Sequence, residues 1–120
     1  MSDRLADIFT WQKKFNDRVR NERQLKNTNS EWIQREAIAL IVELGEVMEE
    51  VRYKWWKNPT PIEPEKVHEE LVDVLHFFIS MCIDAGMDAE SLYQGYLSKN
   101  QENFRRQDGL SKKNGYAPEV

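Results

Sequence analysis

Apolar side chains recur every three to four positions in four segments of this chain, and polar runs, prolines and glycines separate the segments. Residues at that spacing share one face of an α-helix, whereas a strand alternates at every second residue. The pattern predicts helices over about residues 3–24, 31–56, 64–85 and 89–107, and no strand. We therefore expect an all-α fold, a bundle of four to five helices.

Local residues indicate where these helices begin and end. Asn29 or Ser30 can cap the second helix and Asp88 the fourth, because their side chains accept hydrogen bonds from the free N–H groups of a first turn. Prolines between residues 59 and 64 exclude a helix there. Gly86 is a suitable stop for the third helix.

The chain is predicted to form one domain over residues 1–120, because it shows neither an internal repeat nor a low-complexity segment. A domain of this length can bury a modest core. The polar tail over residues 108–120 is expected either to be loosely held or to close on a substrate.

Helices two and three carry apolar residues on more than one face, and a lone helical unit cannot easily bury both. We therefore expect an oligomer, most simply a two-fold homodimer. On helix two the stripes are Ala37, Leu40, Leu44, Val47 and Val51, then Ile38 and Val42; on helix three they are Val67, Leu71, Val74, Phe78 and Met81, then Val72, Ile79 and Ile83.

Composition excludes several classes of function. The formal net charge of -4 argues against non-specific nucleic-acid binding. Cys82 is the only cysteine and lies in an apolar run, which predicts a buried free thiol in a reducing compartment. The N-terminus lacks the apolar core of a signal peptide, and no stretch approaches the ~20 apolar residues of a membrane span. We expect a cytoplasmic protein without a membrane partner.

Two acidic pairs carry the chemistry that the pattern suggests. Glu43 and Glu46 on helix two, and Glu70 and Asp73 on helix three, are each one helical turn apart and flanked by apolar residues. Closely spaced carboxylates repel one another and lose hydration, so they favour a cation. Mg²⁺ prefers oxygen ligands and commonly accompanies phosphate. Glu50, one turn after Glu46, is a fifth candidate ligand.

The connection between these helices is short, so they can pack antiparallel and bring both pairs to one pocket. The competing interpretation is a solvated acidic face, as in a non-catalytic helical interaction protein. A di-iron bundle would call for Glu-x-x-His motifs, which neither pair provides.

Residues near the acidic pairs suggest a nucleotide. Lys54 and Trp56 at the expected end of helix two combine a cation with an aromatic face, and His76 follows Asp73 by one turn. Trp56 is equally compatible with an interface, and His76 with a structural role. A polar and basic group in and after helix four either holds phosphates or forms a solvated end: Lys99, Asn100, Asn103, Arg105, Arg106 and Lys112.

The spacing ExxE, then ExxD, on a compact helical chain resembles the all-α nucleoside triphosphate pyrophosphatases, which include MazG-like enzymes, dCTP pyrophosphatases and dimeric dUTPases. The dimeric dUTPases are the most similar of these. The segments that carry the resemblance are Gln12–Asp17, Glu43–Glu46 with Lys54 and Trp56, Glu69–Phe78, and Lys99–Gln107 with Gly115 and Tyr116.

The resemblance implies Mg²⁺-dependent hydrolysis of dUTP to dUMP and pyrophosphate, with Mn²⁺ as a substitute ion. The implied metal ligands are Glu43, Glu46, Glu70, Asp73 and Glu50, and Glu46 is the expected general base. The implied substrate contacts are Gln12, Asn16, Lys54, Trp56, His76, Lys99, Asn103, Arg106 and Tyr116. Because the compact size is closer to that of MazG-like enzymes, the alternatives are a homotetramer, dCTP as substrate, and a broader range of triphosphates.

Overall fold

The structure, a computed structural model, describes residues 3–116 and is helical there, with no strand in that range. The all-α prediction is therefore confirmed. None of the helices in the described range is long and apolar enough to cross a bilayer. The helices are α1 (Arg4–Glu22), α2 (Asn29–Glu50), α3 (Pro64–Asp84) and α4 (Ala89–Gln107).

The chain divides into two compact units, residues 1–87 and residues 88–120. The first unit contains α1, α2 and α3, and the second contains α4 and the segment after it. The assignment of residues 1–120 to one domain stays a prediction.

Within the first unit, α1 and α3 run parallel. Both partners advance by four residues from one hydrogen-bonded pair to the next, so the two helices keep a constant register over about two turns. The pairs are each 64 residues apart in the chain: Gln12 with His76, Asn16 with Ser80, and Arg20 with Asp84.

The helix α2 runs antiparallel to α3. Glu36, in the first half of α2, shares the Arg20 guanidinium with Asp84 at the end of α3. Glu43, farther along α2, lies beside Glu70 near the start of α3. Residues later in α2 therefore lie beside residues earlier in α3. This antiparallel arrangement is the one expected for the two acidic pairs.

The buried apolar core among the described residues is small and consists of Phe9, Ile79 and Cys82. The Cys82 thiol is free and buried, as predicted, and burial raises its pKa. Large apolar side chains stay exposed on α2 and α3, including Ile41 at 65% and Val72 at 53%. The oligomer that these faces suggest stays a prediction.

The prediction that the second helix continues to Trp56 is wrong, because α2 ends at Glu50. Arg52 adopts a left-handed backbone with φ of 60°, which turns the chain out of the helix. The Tyr53 N–H then donates to the carbonyl of Met48 at 3.3 Å, which satisfies an end carbonyl. A non-glycine residue closes this helix, so no glycine marks the stop in the sequence.

The second helix also begins earlier than expected. Thr28 caps α2 in place of the predicted Asn29 or Ser30. Its hydroxyl accepts from the Glu31 N–H at 3.2 Å, and the Glu31 carboxylate accepts from the Thr28 N–H at 3.1 Å. This reciprocal pair satisfies two donors at once, which neither later residue could do with Glu31. The predicted cap of α4 by Asp88 is confirmed.

Gly86, with φ of 84°, ends α3 as predicted. The segment after α4 is fastened to that helix, since the Ser111 hydroxyl donates to Glu102 at 2.6 Å and the Leu110 N–H to the carbonyl of Arg105 at 2.8 Å. The last part of the predicted tail, residues 117–120, lies outside the described residues.

Candidate functional site

Three carboxylates from two helices converge in the first unit. Glu43 and Glu46 are one turn apart on α2, and the antiparallel α3 brings Glu70 to them. One oxygen of each lies within 4.8 Å of the others, close enough to share an ion. Asp73 and Glu50, the other predicted ligands, are not members of this carboxylate cluster.

The cluster has the chemistry of a cation site. Glu43 Oε2, Glu70 Oε2 and the nearby Glu50 Oε2 are shielded from solvent without a hydrogen-bond donor. Desolvation, together with the neighbouring Glu46 and Glu43, raises the pKa of Glu70 to about 7. Hard oxygen ligands and unsatisfied negative charge fit Mg²⁺ or Mn²⁺.

A cleft of about 940 Å³ lies next to the cluster, and Glu43 and Asp73 both line it. Its volume lies within the range of small-molecule sites, roughly 300–1,000 Å³. Four aromatic side chains form part of the apolar wall together with aliphatic ones, and a planar ring could stack on them. They are Trp11, Phe15, Trp32 and Phe77.

A hydrogen-bonded relay forms the polar part of the cleft wall. His76 Nδ1 lies 2.8 Å from Gln12 Oε1, and Gln12 Nε2 donates to Asn16 Oδ1 at 3.0 Å. Asn16 Nδ2 donates to Ser80 Oγ at 3.0 Å, and Ser80 donates to the backbone carbonyl of His76 at 2.8 Å. The structure therefore brings together three of the predicted nucleoside contacts.

An ion-pair network lies at the end of this wall. The Arg20 guanidinium donates to Asp84 at 2.8 and 3.1 Å and to Glu36 at 3.3 Å, and it stacks on Trp32 at 4.0 Å. The Asp84 and Glu36 side chains are 5% and 10% exposed.

The two carboxyl groups of this network differ in charge. Desolvation and the neighbouring Asp84 raise the pKa of Glu36 to about 8. Desolvation opposes the ionisation of Asp84, but hydrogen bonds from Arg20 hold the pKa of Asp84 below its usual value. The network therefore favours the ionised form of Asp84 and the neutral form of Glu36.

Two predicted substrate residues lie in the loop after α2, outside the lining of the cleft. Lys54 pairs with Glu49 at 3.0 Å, which raises the pKa of the lysine. Trp56 packs edge-on against Trp55, with ring centroids 4.6 Å apart. Lys54 and Trp55 line a separate cavity of about 320 Å³.

The remaining predicted residues belong to the second unit. Lys99 and Asn103 are exposed on α4. Arg106 pairs with Glu102 at 3.2 Å and lies over the Tyr116 ring at 5.4 Å. The structure thus brings Arg106 and Tyr116 together, and their role as phosphate contacts stays a prediction.

Sequence reasoning did not identify Ser80, Arg20, Glu36 or Asp84. A weak local signal existed for Ser80, which lies four residues after His76 and hence on the same face of the helix. The Arg20 partners are 16 and 64 residues away, so no local spacing reveals them.

Comparison with known proteins identifies relatives of this chain. A family model described as dUTPase matches residues 4–92. A dCTP pyrophosphatase of Enterobacteria phage T4 is 31% identical over 114 residues, covering 92% of this chain and 64% of that protein. A dCTP pyrophosphatase of Enterobacteria phage LZ5 is 29% identical over 106 residues, covering 86% and 62%. The chain thus spans less than two thirds of either relative, and no solved structure matches it significantly.

Proposed function

This chain belongs to the dUTPase family, and from that premise we propose that it is a Mg²⁺-dependent nucleoside triphosphate pyrophosphohydrolase. The leading substrate is dUTP, which water converts to dUMP and pyrophosphate by cleavage of the bond between the α- and β-phosphates. The observation that carries the proposal is the carboxylate cluster of Glu43, Glu46 and Glu70 beside an aromatic-lined cleft.

Glu43, Glu46 and Glu70 would hold the ion, with Asp73 and Glu50 as further ligands. When bound, Mg²⁺ supplies positive charge for phosphate oxygens and lowers the pKa of an attacking water. Glu46 is exposed, unlike the half-buried Glu43 and Glu70, so it is the carboxylate best able to orient that water as a general base.

The nucleoside would lie in the cleft against Gln12, Asn16 and His76, with its base on the aromatic wall. Lys54 and Trp56, in the loop after α2, stay candidate substrate contacts, although neither lines this cleft. In the second unit, the candidate phosphate contacts are Lys99, Arg106 and Tyr116, and Asn103 is a candidate nucleoside contact.

A second candidate substrate is dCTP, because both phage relatives are named dCTP pyrophosphatases. Cytosine presents an amine where uracil presents a carbonyl oxygen, so a site that hydrogen-bonds one base would reject the other. A MazG-like activity on several triphosphates would follow if the cleft contacts only the face of the base and the sugar, and makes no hydrogen bond to the edge of the base.

We also propose a homodimer, with a homotetramer as the alternative. Exposed apolar side chains on α2 and α3 support it, because a second copy could cover Ile38, Val42 and Leu71 without disturbing the helices. Light scattering after gel filtration would measure the mass in solution, and a monomer at micromolar concentration would contradict the proposal.

A panel of common nucleoside triphosphates with Mg²⁺, scored by pyrophosphate release, tests the activity. We expect selective cleavage of dUTP or dCTP, loss of activity with a chelator, and recovery with added Mg²⁺ or Mn²⁺. Glu43→Gln should lose turnover by at least about a hundredfold while retaining the helical circular dichroism spectrum. Glu65→Gln, an exposed change on α3 outside the cluster, is the matched control. Normal turnover by Glu43→Gln would contradict the metal assignment.

A further inference from the structure

Each hydrogen bond in the cleft-wall relay has a direction, and Ser80 fixes that direction. A backbone carbonyl can only accept, so the Ser80 hydroxyl must use its single proton on the carbonyl of His76, 2.8 Å away. Its oxygen can then only accept from Asn16, and this requires the NH₂ group of the amide to face Ser80. Ser80 is 3% exposed, so water cannot readily replace either bond.

The two amides extend this order of donors and acceptors to the imidazole. With its NH₂ on Ser80, Asn16 presents Oδ1 to Gln12, which must donate through Nε2. Gln12 then presents Oε1 to His76 at 2.8 Å. A carbonyl oxygen requires a proton on the facing nitrogen, so neutral His76 carries its proton on Nδ1 and leaves Nε2 as an acceptor.

The free nitrogen is available to a ligand. His76 lines the cleft and is exposed, and Nε2 has no hydrogen-bond partner within residues 3–116. We propose that Ser80 is a positioning residue that fixes His76 as a hydrogen-bond acceptor, so that Nε2 accepts an N–H from the edge of the substrate's base. Uracil offers N3–H and cytosine its exocyclic amine, so the inference rests on the proposed function but not on the choice between these bases.

Nuclear magnetic resonance of the free protein tests the tautomer without substrate. Two-bond ¹H–¹⁵N spectra at pH 8.5 distinguish the protonated nitrogen of a neutral imidazole. The chain has two histidines, and His68→Gln assigns the signals. We expect His76 to be protonated at Nδ1 in the wild type and to become a mixture of tautomers in Ser80→Ala. Two results would overturn the proposal: an Nε2–H tautomer of His76 in the wild type, or a pure Nδ1–H tautomer retained in Ser80→Ala.

Cys82→Ala is the matched control, because it also removes one buried side-chain atom from α3 but has no part in the relay. It should leave the His76 tautomer unchanged. If it shifts the tautomer as Ser80→Ala does, the effect is general loosening of the helix, and the positioning role is refuted. Ser80→Thr, which keeps a hydroxyl able to bond the carbonyl four residues back, should restore the Nδ1–H form.

A kinetic experiment tests the acceptor itself. Ser80→Ala should raise KM for the preferred nucleotide about tenfold with little change in kcat, because a binding contact is weakened in ground and transition states alike. An analogue without the edge donor (N3-methyl for a uracil nucleotide, N4,N4-dimethyl for a cytosine nucleotide) should be discriminated against by the wild type and much less by Ser80→Ala. Equal discrimination by both would refute the acceptor role. Absence of activity in the wild type would refute only the proposed function, since the tautomer measurement is independent of it.

Discussion

Replacement of Arg20 by methionine should destabilise the first unit far more than an ordinary surface change. The substitution keeps an unbranched side chain but removes the only cation among residues 3–116 that is hydrogen-bonded to Asp84, whose side chain is 5% exposed. Removing one partner of a buried ion pair typically costs about 3–5 kcal/mol. Loss of the stacking on Trp32 adds about 0.5–1 kcal/mol.

The two costs together come to about 3.5–6 kcal/mol, which corresponds to a fall in melting temperature of about 14–24 °C at roughly 4 °C per kcal/mol for a chain of this size. Thermal and urea unfolding at fixed protein concentration measure the loss. Arg18→Met is the matched control, because Arg18 pairs with Glu22 on the same helix but is 75% exposed. It should cost less than about 1 kcal/mol.

The stability cost of Arg20→Met should depend on pH, with a sign that follows from the pKa of Asp84. In the wild type, Arg20 lowers the pKa of Asp84, so the stabilisation is present above the unfolded pKa near 3.8 and is lost as the pH falls. In Arg20→Met, the desolvation that raises the pKa of Asp84 loses its main opposing group, so the penalty should be largest at pH 7 and shrink toward pH 4. Adding Asp84→Asn to Arg20→Met should recover part of the loss at pH 7. A cost below about 1 kcal/mol, or no recovery in the double variant, would refute the reasoning.

Three further outcomes are expected. Because the pKa of Glu36 is raised to about 8, wild-type stability relative to Glu36→Gln should fall as the pH rises from 4.5 to 8, as thermal melts across that range would show. Glu70→Gln should melt higher than the wild type without metal but gain less from added Mg²⁺, by differential scanning fluorimetry; an unchanged Mg²⁺ gain would contradict its role as a ligand. Gln24→Gly should raise the free energy of unfolding by about 0.5–1 kcal/mol, because Gln24 has φ of 54°; Arg23→Gly, at φ of −93°, should lower it.

The fold was predictable where one local signal dominates. Apolar spacing located all four helices, and Asp88 and Gly86 marked their ends correctly. The end of α2 was not predictable because Arg52, which carries no turn signal, takes the left-handed conformation that glycine usually takes. The chain accepts that backbone strain because the Tyr53 and Arg52 N–H groups satisfy carbonyls at the end of the helix.

The site was predictable in part for the same reason. Glu43, Glu46 and Glu70 were identifiable because helical spacing and one antiparallel pairing suffice to bring them together. The Arg20 network required the register between α1 and α3, which depends on side-chain packing along the whole interface and on no short motif.

Four polar residues of α3 lie along one side of the helix, and each belongs to one of the polar groups of the first unit. Glu70 belongs to the carboxylate cluster, His76 and Ser80 to the relay, and Asp84 to the ion-pair network. Deleting a single residue inside this stretch would rotate the remainder by about 100° and misalign these contacts together. The later part of the connection, over residues 57–62, does not set the register of α3, and loop closure changes little with length. A deletion scan read by thermal stability should therefore find residues 57–62 tolerant and α3 intolerant between 70 and 84, because only a deletion in α3 misaligns all three groups of contacts.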